Sequence, residues 1–130
     1  MKKFTSTKTF AVAALALAIV GAGILAAAGT FNKPKSVIHV VTVKWKEGTT
    51  PDQIKAALTG VEKVAAAYPG IKNVWTRSIK VQGAGYTHAF VMEFESEESL
   101  QKYSGSEAQK EWYKVYLPIR AQSTTHDITN

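Results

Sequence analysis

Between Val37 and Lys46 the chain alternates with a period of two. Val37, His39, Val41, Val43 and Trp45 fall on one side, and Ile38, Val40, Thr42 and Lys44 on the other. This period marks a β-strand, and here both faces stay apolar for most of the run. The stretch from Tyr86 to Glu97 repeats the pattern: Ala89 and Val91 point one way, His88, Phe90, Met92 and Phe94 the other. A strand apolar on both faces must be covered on both faces. Between the two runs, Thr50-Pro51-Asp52-Gln53 opens a helix. Thr50 serves as cap, Pro51 suits the first helical position and Gln53 completes a capping box. Ile54, Ala57, Leu58, Val61, Val64, Ala65 and Tyr68 follow at helical spacing with charges opposite, until Pro69-Gly70 stops the run. Gly60 inside it costs about 1 kcal/mol against alanine unless a neighbour packs closely there.

The remaining pattern reads as a strand from Ile71 to Ile79, a loop from Val81 to Gly85, and a short helix from Ser96 to Tyr103. Ser106-Glu107-Ala108-Gln109 is a second capping-box pattern, opening a helix with Ala108, Trp112, Val115 and Ile119 inward and its end frayed by Pro118. Ser123 to Ile128 predicts a last, more polar strand. The order β-α-β-β-α-β predicts an α+β, ferredoxin-like domain with a four-stranded antiparallel sheet. The right-handed crossover rule is read as making the first and third strands parallel neighbours at its centre. Helices cover one face and leave the other apolar. A second copy of the chain would bury that face, giving a homodimeric α/β barrel.

Charge changes the picture at the N-terminus. Lys2, Lys3 and Lys8 precede an uncharged apolar run from Phe10 to Ala28 that ends in Ala26-Ala27-Ala28. A basic start, an apolar stretch and an A-x-A site predict a secretory signal peptide. The 19 residues from 10 to 28 also suffice to span a bilayer if uncleaved, so a membrane anchor is the alternative. The domain plan is therefore a signal peptide or anchor over 1–28, a tether over 29–35 and a folded domain over 36–130, exported to the periplasm or secreted. Of 16 basic and 10 acidic residues, the first segment holds three lysines and no acid; the rest carries 13 against 10, a net charge of +3. Those lysines are scattered among acids, which excludes a nucleic-acid footprint. The chain has no cysteine, which excludes disulfides, thiolate zinc sites and cysteine nucleophiles.

Four pieces carry a resemblance: Ile38-His39-Val40-Val41, Lys46-Glu47-Gly48-Thr49, Tyr68-Pro69-Gly70-Ile71, and Gly85-Tyr86-Thr87-His88-Ala89-Phe90 leading to Phe94-Glu95-Ser96. With them the chain resembles the stress-responsive dimeric A/B barrel (Dabb) family from about Val37 to Ile128. That family includes plant stress proteins and a plant polyketide cyclase that closes an aromatic ring without cofactor. In the cyclase a helix histidine is the general base and a tyrosine positions or protonates the substrate. The resemblance places that tyrosine at Tyr103. The base belongs to a His-Pro-x-His stretch that here reads Ser106-Glu107-Ala108-Gln109, and the Gln109 amide accepts no proton at neutral pH. His39, His88 and Asp127 carry over by position. The related dimeric barrels also include cofactor-free monooxygenases.

If the first and third strands are parallel, His39, His88 and the end of the last strand meet at one edge of the sheet. Only one of His126 and Asp127 then joins them, because neighbours on a strand face opposite sides, and the resemblance favours Asp127. Three readings stand for the cluster. It is a buried hydrogen-bond network, the polar floor of a pocket, or a catalytic centre in which His39 and His88 act as acid or base. A pocket lined by Tyr86, Trp75, Trp112, Tyr103, Tyr113 and Gln109 suits a small apolar or aromatic ligand. No spacing supports a metal site, and no cofactor is expected. Trp112, Tyr113 and Tyr116 at helical spacing are expected in core or interface. The overall expectation is an exported homodimer that binds a small molecule, with a cofactor-free cyclase, lyase or monooxygenase and an inert interaction module as alternatives.

Overall fold

The computed structural model describes residues 29–130; the expected export segment, residues 1–28, lies outside them. The folded unit runs from Pro34 to Asn130. The alternating run forms β1 (Val37–Trp45), and the capped amphipathic run forms α1 (Pro51–Ala67). β2 (Ile71–Trp75), β3 (His88–Phe94), α2 (Glu97–Tyr103), α3 (Glu107–Tyr116) and β4 (Arg120–Ile128) follow. No helix among the described residues is long and apolar enough to cross a membrane.

The capping chemistry forms where the residues predict it. The Thr50 hydroxyl accepts from the Gln53 N–H at 3.3 Å while Gln53 Oε1 accepts from the Thr50 N–H at 2.9 Å, closing the box at the start of α1. At α3 the box is half made. Ser106 Oγ accepts from the Gln109 N–H, but Gln109 Oε1 reaches past its cap to the Gly105 N–H at 2.7 Å. Gly60 has its close neighbour: a Cβ there would run into the Trp112 indole, whose Nε1 donates to the Ala57 carbonyl at 2.8 Å. α1 and α3 thus lie against each other through a glycine and a tryptophan.

The sheet order is β2-β3-β1-β4, and every neighbouring pair is antiparallel. This bears out the ferredoxin-like, four-stranded antiparallel fold and corrects one expectation: β1 and β3 are neighbours, but they run in opposite directions. The right-handed crossover joins β1 through α1 to β2, leaving a gap one strand wide. β3 fills that gap and runs against both. β2 is shorter than its pattern because Ser78 Oγ takes the Ala89 N–H, a donor the ladder would otherwise use. β4 is longer, starting at Arg120 opposite Trp45 beyond a register shift at Lys44 and Trp45.

The inner, helix-covered face of the sheet carries Val37, Val41, Val43, Phe90, Met92 and Phe94, all buried. Val61 and Val64 of α1 and Tyr103, Trp112 and Tyr116 of α2 and α3 close over them. The outer face follows the opposite parity: Ile38, Val40, Ala89 and Val91 are half-buried, and Trp75 and Ile128 are 51% and 57% exposed.

Candidate functional site

The β1–β4 register sets His39 directly across from Asp127 on the inner face. Their side chains meet at 2.6 Å, Nδ1 to Oδ1. An ionised carboxylate can only accept, so in the neutral imidazole Nδ1 carries the proton and Nε2 keeps the lone pair. Phe94 stands edge-on to the imidazole, ring centroids 5.9 Å apart. The His39 side chain is 15% exposed and Asp127 47%, placing the pair at the mouth of a half-open pocket.

That space is a cavity of about 380 Å³ between the inner face of β1 and β4 and the two short helices. His39 and Asp127 lie in its wall with Tyr103 and Gln109, and Trp112, Tyr116, Arg120, Ser123 and Thr125 continue the lining. α3 supplies Trp112 and Tyr116 on one side, stacked with ring centroids 4.4 Å apart. β4 supplies Ser123, Thr125 and Asp127, alternate residues that share a face. The size falls in the range of small-molecule pockets.

Two hydroxyls in this wall, Tyr103 and Tyr116, are buried and have no hydrogen-bond partner among the described residues. Burial pushes both phenols above their ordinary pKa. Neighbouring Tyr113 adds to the rise at Tyr103, and nearby Gln109 partly offsets it. At Tyr116, Ser123 and Arg120 lie close enough to draw the value partly back down, without completing a hydrogen bond. Both phenols therefore stay protonated and able to donate. Gln109 is held at both ends of its amide, accepting from Gly105 and donating to the Tyr113 hydroxyl at 3.1 Å.

The structure brings together His39, Asp127, Tyr103, Gln109, Trp112 and Tyr113, and it separates the other three residues that the sequence suggested. His88 faces Val43, near the far end of β1 from His39. His39 lies opposite Met92, four residues along β3 and so about 13 Å from His88. The antiparallel direction of β3 is what parts the two histidines. His88 Nδ1 instead accepts from the Trp45 indole at 2.9 Å and borders a separate groove with Pro51, Ile54 and Leu58. Tyr86 packs against Gly83 in the β2–β3 loop. Trp75 pairs with Val91 on the outer face. His126 pairs with Val40 and so also faces outward, leaving Asp127 as the strand-end partner.

Sequence reasoning missed Arg120, Ser123 and Thr125 and assigned Tyr116 only to core or interface. The period of two leading up to Asp127 was the available signal for Ser123 and Thr125. Arg120 had none, because the predicted strand began three residues too late. Among the described residues no group of three or more His, Asp or Glu side chains is placed to hold a metal. The arrangement offers instead a lone pair at His39 Nε2, two phenolic donors, an apolar wall and one guanidinium.

A family model described as the stress responsive A/B barrel domain matches residues 37–130. The stress-response A/B barrel domain-containing protein HS1 of Arabidopsis thaliana is 27% identical over 84 residues, 62% of this chain and 77% of that protein. Among solved structures, a dimeric ferredoxin-like protein of unknown function from Bacteroides fragilis superposes with a TM-score of 0.62 at 14% identity, covering 76% of this chain and all of that one. A hydroxynitrile lyase from Passiflora edulis gives the same TM-score at 20% identity, over 73% of this chain and 93% of that one.

Proposed function

The chain belongs to the stress responsive A/B barrel domain family, and from that premise we propose that it is a homodimeric binding protein for a small apolar or aromatic molecule. The ligand sits in the cavity between α2, α3 and the inner face of β1 and β4. One observation carries this reading: the Tyr103 and Tyr116 hydroxyls are buried in the cavity wall with their hydrogen bonds unmade. Leaving such a group unpaired costs about 1–3 kcal/mol, which a ligand acceptor offsets once a small shift of the wall side chains admits it. A cavity of this size favours the binding reading over an inert module with a filled core. The homodimer rests on the half-exposed apolar outer face, with the dimeric Bacteroides fragilis protein as a precedent for the fold.

Trp112 lies in the cavity wall and provides the readout. Titration with 2-naphthol and a panel of related phenols is expected to quench tryptophan fluorescence saturably. Tyr103→Phe, which removes only the hydroxyl, is expected to weaken the tightest binder about 5- to 10-fold. If no member of the panel saturates, the binding reading fails.

A second reading is favoured by the His39–Asp127 pair alone: cofactor-free acid–base catalysis, as a lyase, cyclase or oxygenase. A carboxylate that fixes the tautomer of an imidazole at a cavity wall leaves Nε2 as a general base. His88 is left out of this reading because it lies about 13 Å along the sheet from His39. Under this reading, wild type releases cyanide from aromatic cyanohydrins or turns over phenolic polyketides, and His39→Gln lowers the rate by about 100-fold or more. Absence of wild-type turnover leaves binding as the sole role.

We also propose that the domain acts outside the cytoplasm. The support is the basic-then-apolar pattern of Lys2, Lys3, Lys8 and Phe10 to Ala28. The mass of the protein recovered from the periplasm or medium distinguishes a cleaved signal from a retained anchor.

A further inference from the structure

Arg120 lies in the cavity wall at the opposite end of β4 from Asp127, seven residues and about 23 Å of extended chain away. It is half-buried, and arginine stays charged at any working pH. A guanidinium partly withdrawn from water gains from a carboxylate partner. Among the described residues no acid pairs with it. Asp127, the one acid in the cavity wall, is engaged by His39 at the far end. What holds Arg120 is the Tyr116 ring, with the guanidinium carbon 5.5 Å from the ring centroid. A cation–π contact engages the charge without supplying an acceptor for the N–H groups, and among the described residues no carboxylate supplies one. Beside it stand the unpartnered Tyr116 hydroxyl and Ser123.

The cavity is therefore polarised, with a cation and a phenolic donor at one end, a lone-pair acceptor at the other, and aromatic walls between. Resting on the reading that this cavity binds a ligand, we infer that Arg120, Tyr116 and Ser123 form a carboxylate subsite. The ligand class is an aromatic carboxylic acid, bound with its carboxylate at Arg120 and its ring toward His39. A planar guanidinium edge matches a planar carboxylate, and the tyrosine hydroxyl adds a neutral donor to the same oxygens. Neutral phenols enter the same cavity but leave the guanidinium unpaired.

The test uses two rigid probes that differ only at the acid, 6-hydroxy-2-naphthoate and its primary amide, 6-hydroxy-2-naphthamide. Each is titrated against the wild-type protein, Arg120→Gln and Arg120→Lys by tryptophan fluorescence. Wild type is expected to bind the acid about 10-fold or more tightly than the amide, and added salt to weaken the acid alone. Arg120→Gln is expected to bring the two probes near parity, the acid losing about 10-fold and the amide far less, and the amide's remaining affinity also shows that the variant folds. Arg120→Lys keeps part of the preference. Equal affinity of the two probes for wild type, or a preference that survives Arg120→Gln, overturns the carboxylate subsite and leaves the pocket reading standing. If neither probe binds wild type, the pocket reading falls and the subsite with it.

Discussion

His39 and His88 share a sheet face and differ in which nitrogen is free. Asp127 accepts from His39 Nδ1, so the lone pair of His39 is on Nε2. The Trp45 indole donates to His88 Nδ1, so the His88 proton is on Nε2 and its lone pair is spent on the indole. One histidine offers an acceptor to the cavity; the other completes a contact inside the fold. His88→Phe leaves the Trp45 N–H without its acceptor in a half-buried site. The expected cost is about 1–2 kcal/mol of stability. At this domain size that lowers Tm by roughly 4–8 °C per kcal/mol. Affinity for the naphthol probes is expected to stay at the wild-type value. A melting scan and a fluorescence titration of the variant decide it: unchanged Tm with lost binding would make His88 a ligand residue after all. Local spacing does not separate these two histidines, because both stand at inward positions of apolar strands, and reading β1 and β3 as parallel wrongly joined them. What separates them is the direction of β3, which no local spacing encodes.

Elements were legible where their chemistry is local. The Thr50–Gln53 box, the stop at Pro69-Gly70 and the periods of β1, α1 and β3 all depend on residues within a turn or two of each other, and all formed as read. Boundaries set by distant partners were not legible. β2 ends early because Ser78 caps the Ala89 N–H, and β4 starts early because Arg120 pairs with Trp45 across a register shift. The second of these hid a cavity residue. In the same way, Tyr103, Gln109 and Asp127 of the site were readable through a resemblance, whereas the Arg120 end of the cavity was not. Gly60 joins the local and the distant. As a helix residue it is a defect worth about 1 kcal/mol, and as a neighbour of Trp112 it is a requirement. Gly60→Ala improves helix propensity but drives a Cβ into the indole. That ring is stacked on Tyr116 and hydrogen-bonded to Ala57, so it has little room to retreat. Overpacking costs about 1–3 kcal/mol and outweighs the gain in propensity. Chemical denaturation is expected to show a net loss near 1 kcal/mol and a weaker naphthol complex, because the displaced indole is a cavity wall. A variant more stable than wild type would mean that α1 and α3 are not in contact at this point.

At the scale of the whole molecule, the outer sheet face decides the assembly. Ile38, Val40, Ala89, Val91, Trp75 and Ile128 make it too apolar to stand in water as an ordinary surface. Two of its polar sites are already satisfied within the chain, which lowers the cost of covering them with a second copy. Thr42 and Thr124 hydrogen-bond to each other across β1 and β4. Glu93 accepts from Ser36 and Asn73 at 2.6 Å each. Those two bonds hold its carboxyl below the usual range, so it stays ionised and paired at neutral pH. A twofold pairing of this face places Val40 and Val91 near the centre, since both lie on the two middle strands and pair with each other. Val91→Asp then buries two unpaired carboxylates per dimer, a cost of several kcal/mol that a standard interface of about 800 Å² per partner does not absorb. Wild type is expected to elute at twice the chain mass in light scattering at micromolar concentration. Val91→Asp is expected to elute at the chain mass with an unchanged far-ultraviolet spectrum. The cavity lies on the inner face, so the monomeric variant is expected to keep its affinity for the naphthol probes. A wild-type monomer, or a Val91→Asp dimer, would place the contact surface elsewhere on the molecule.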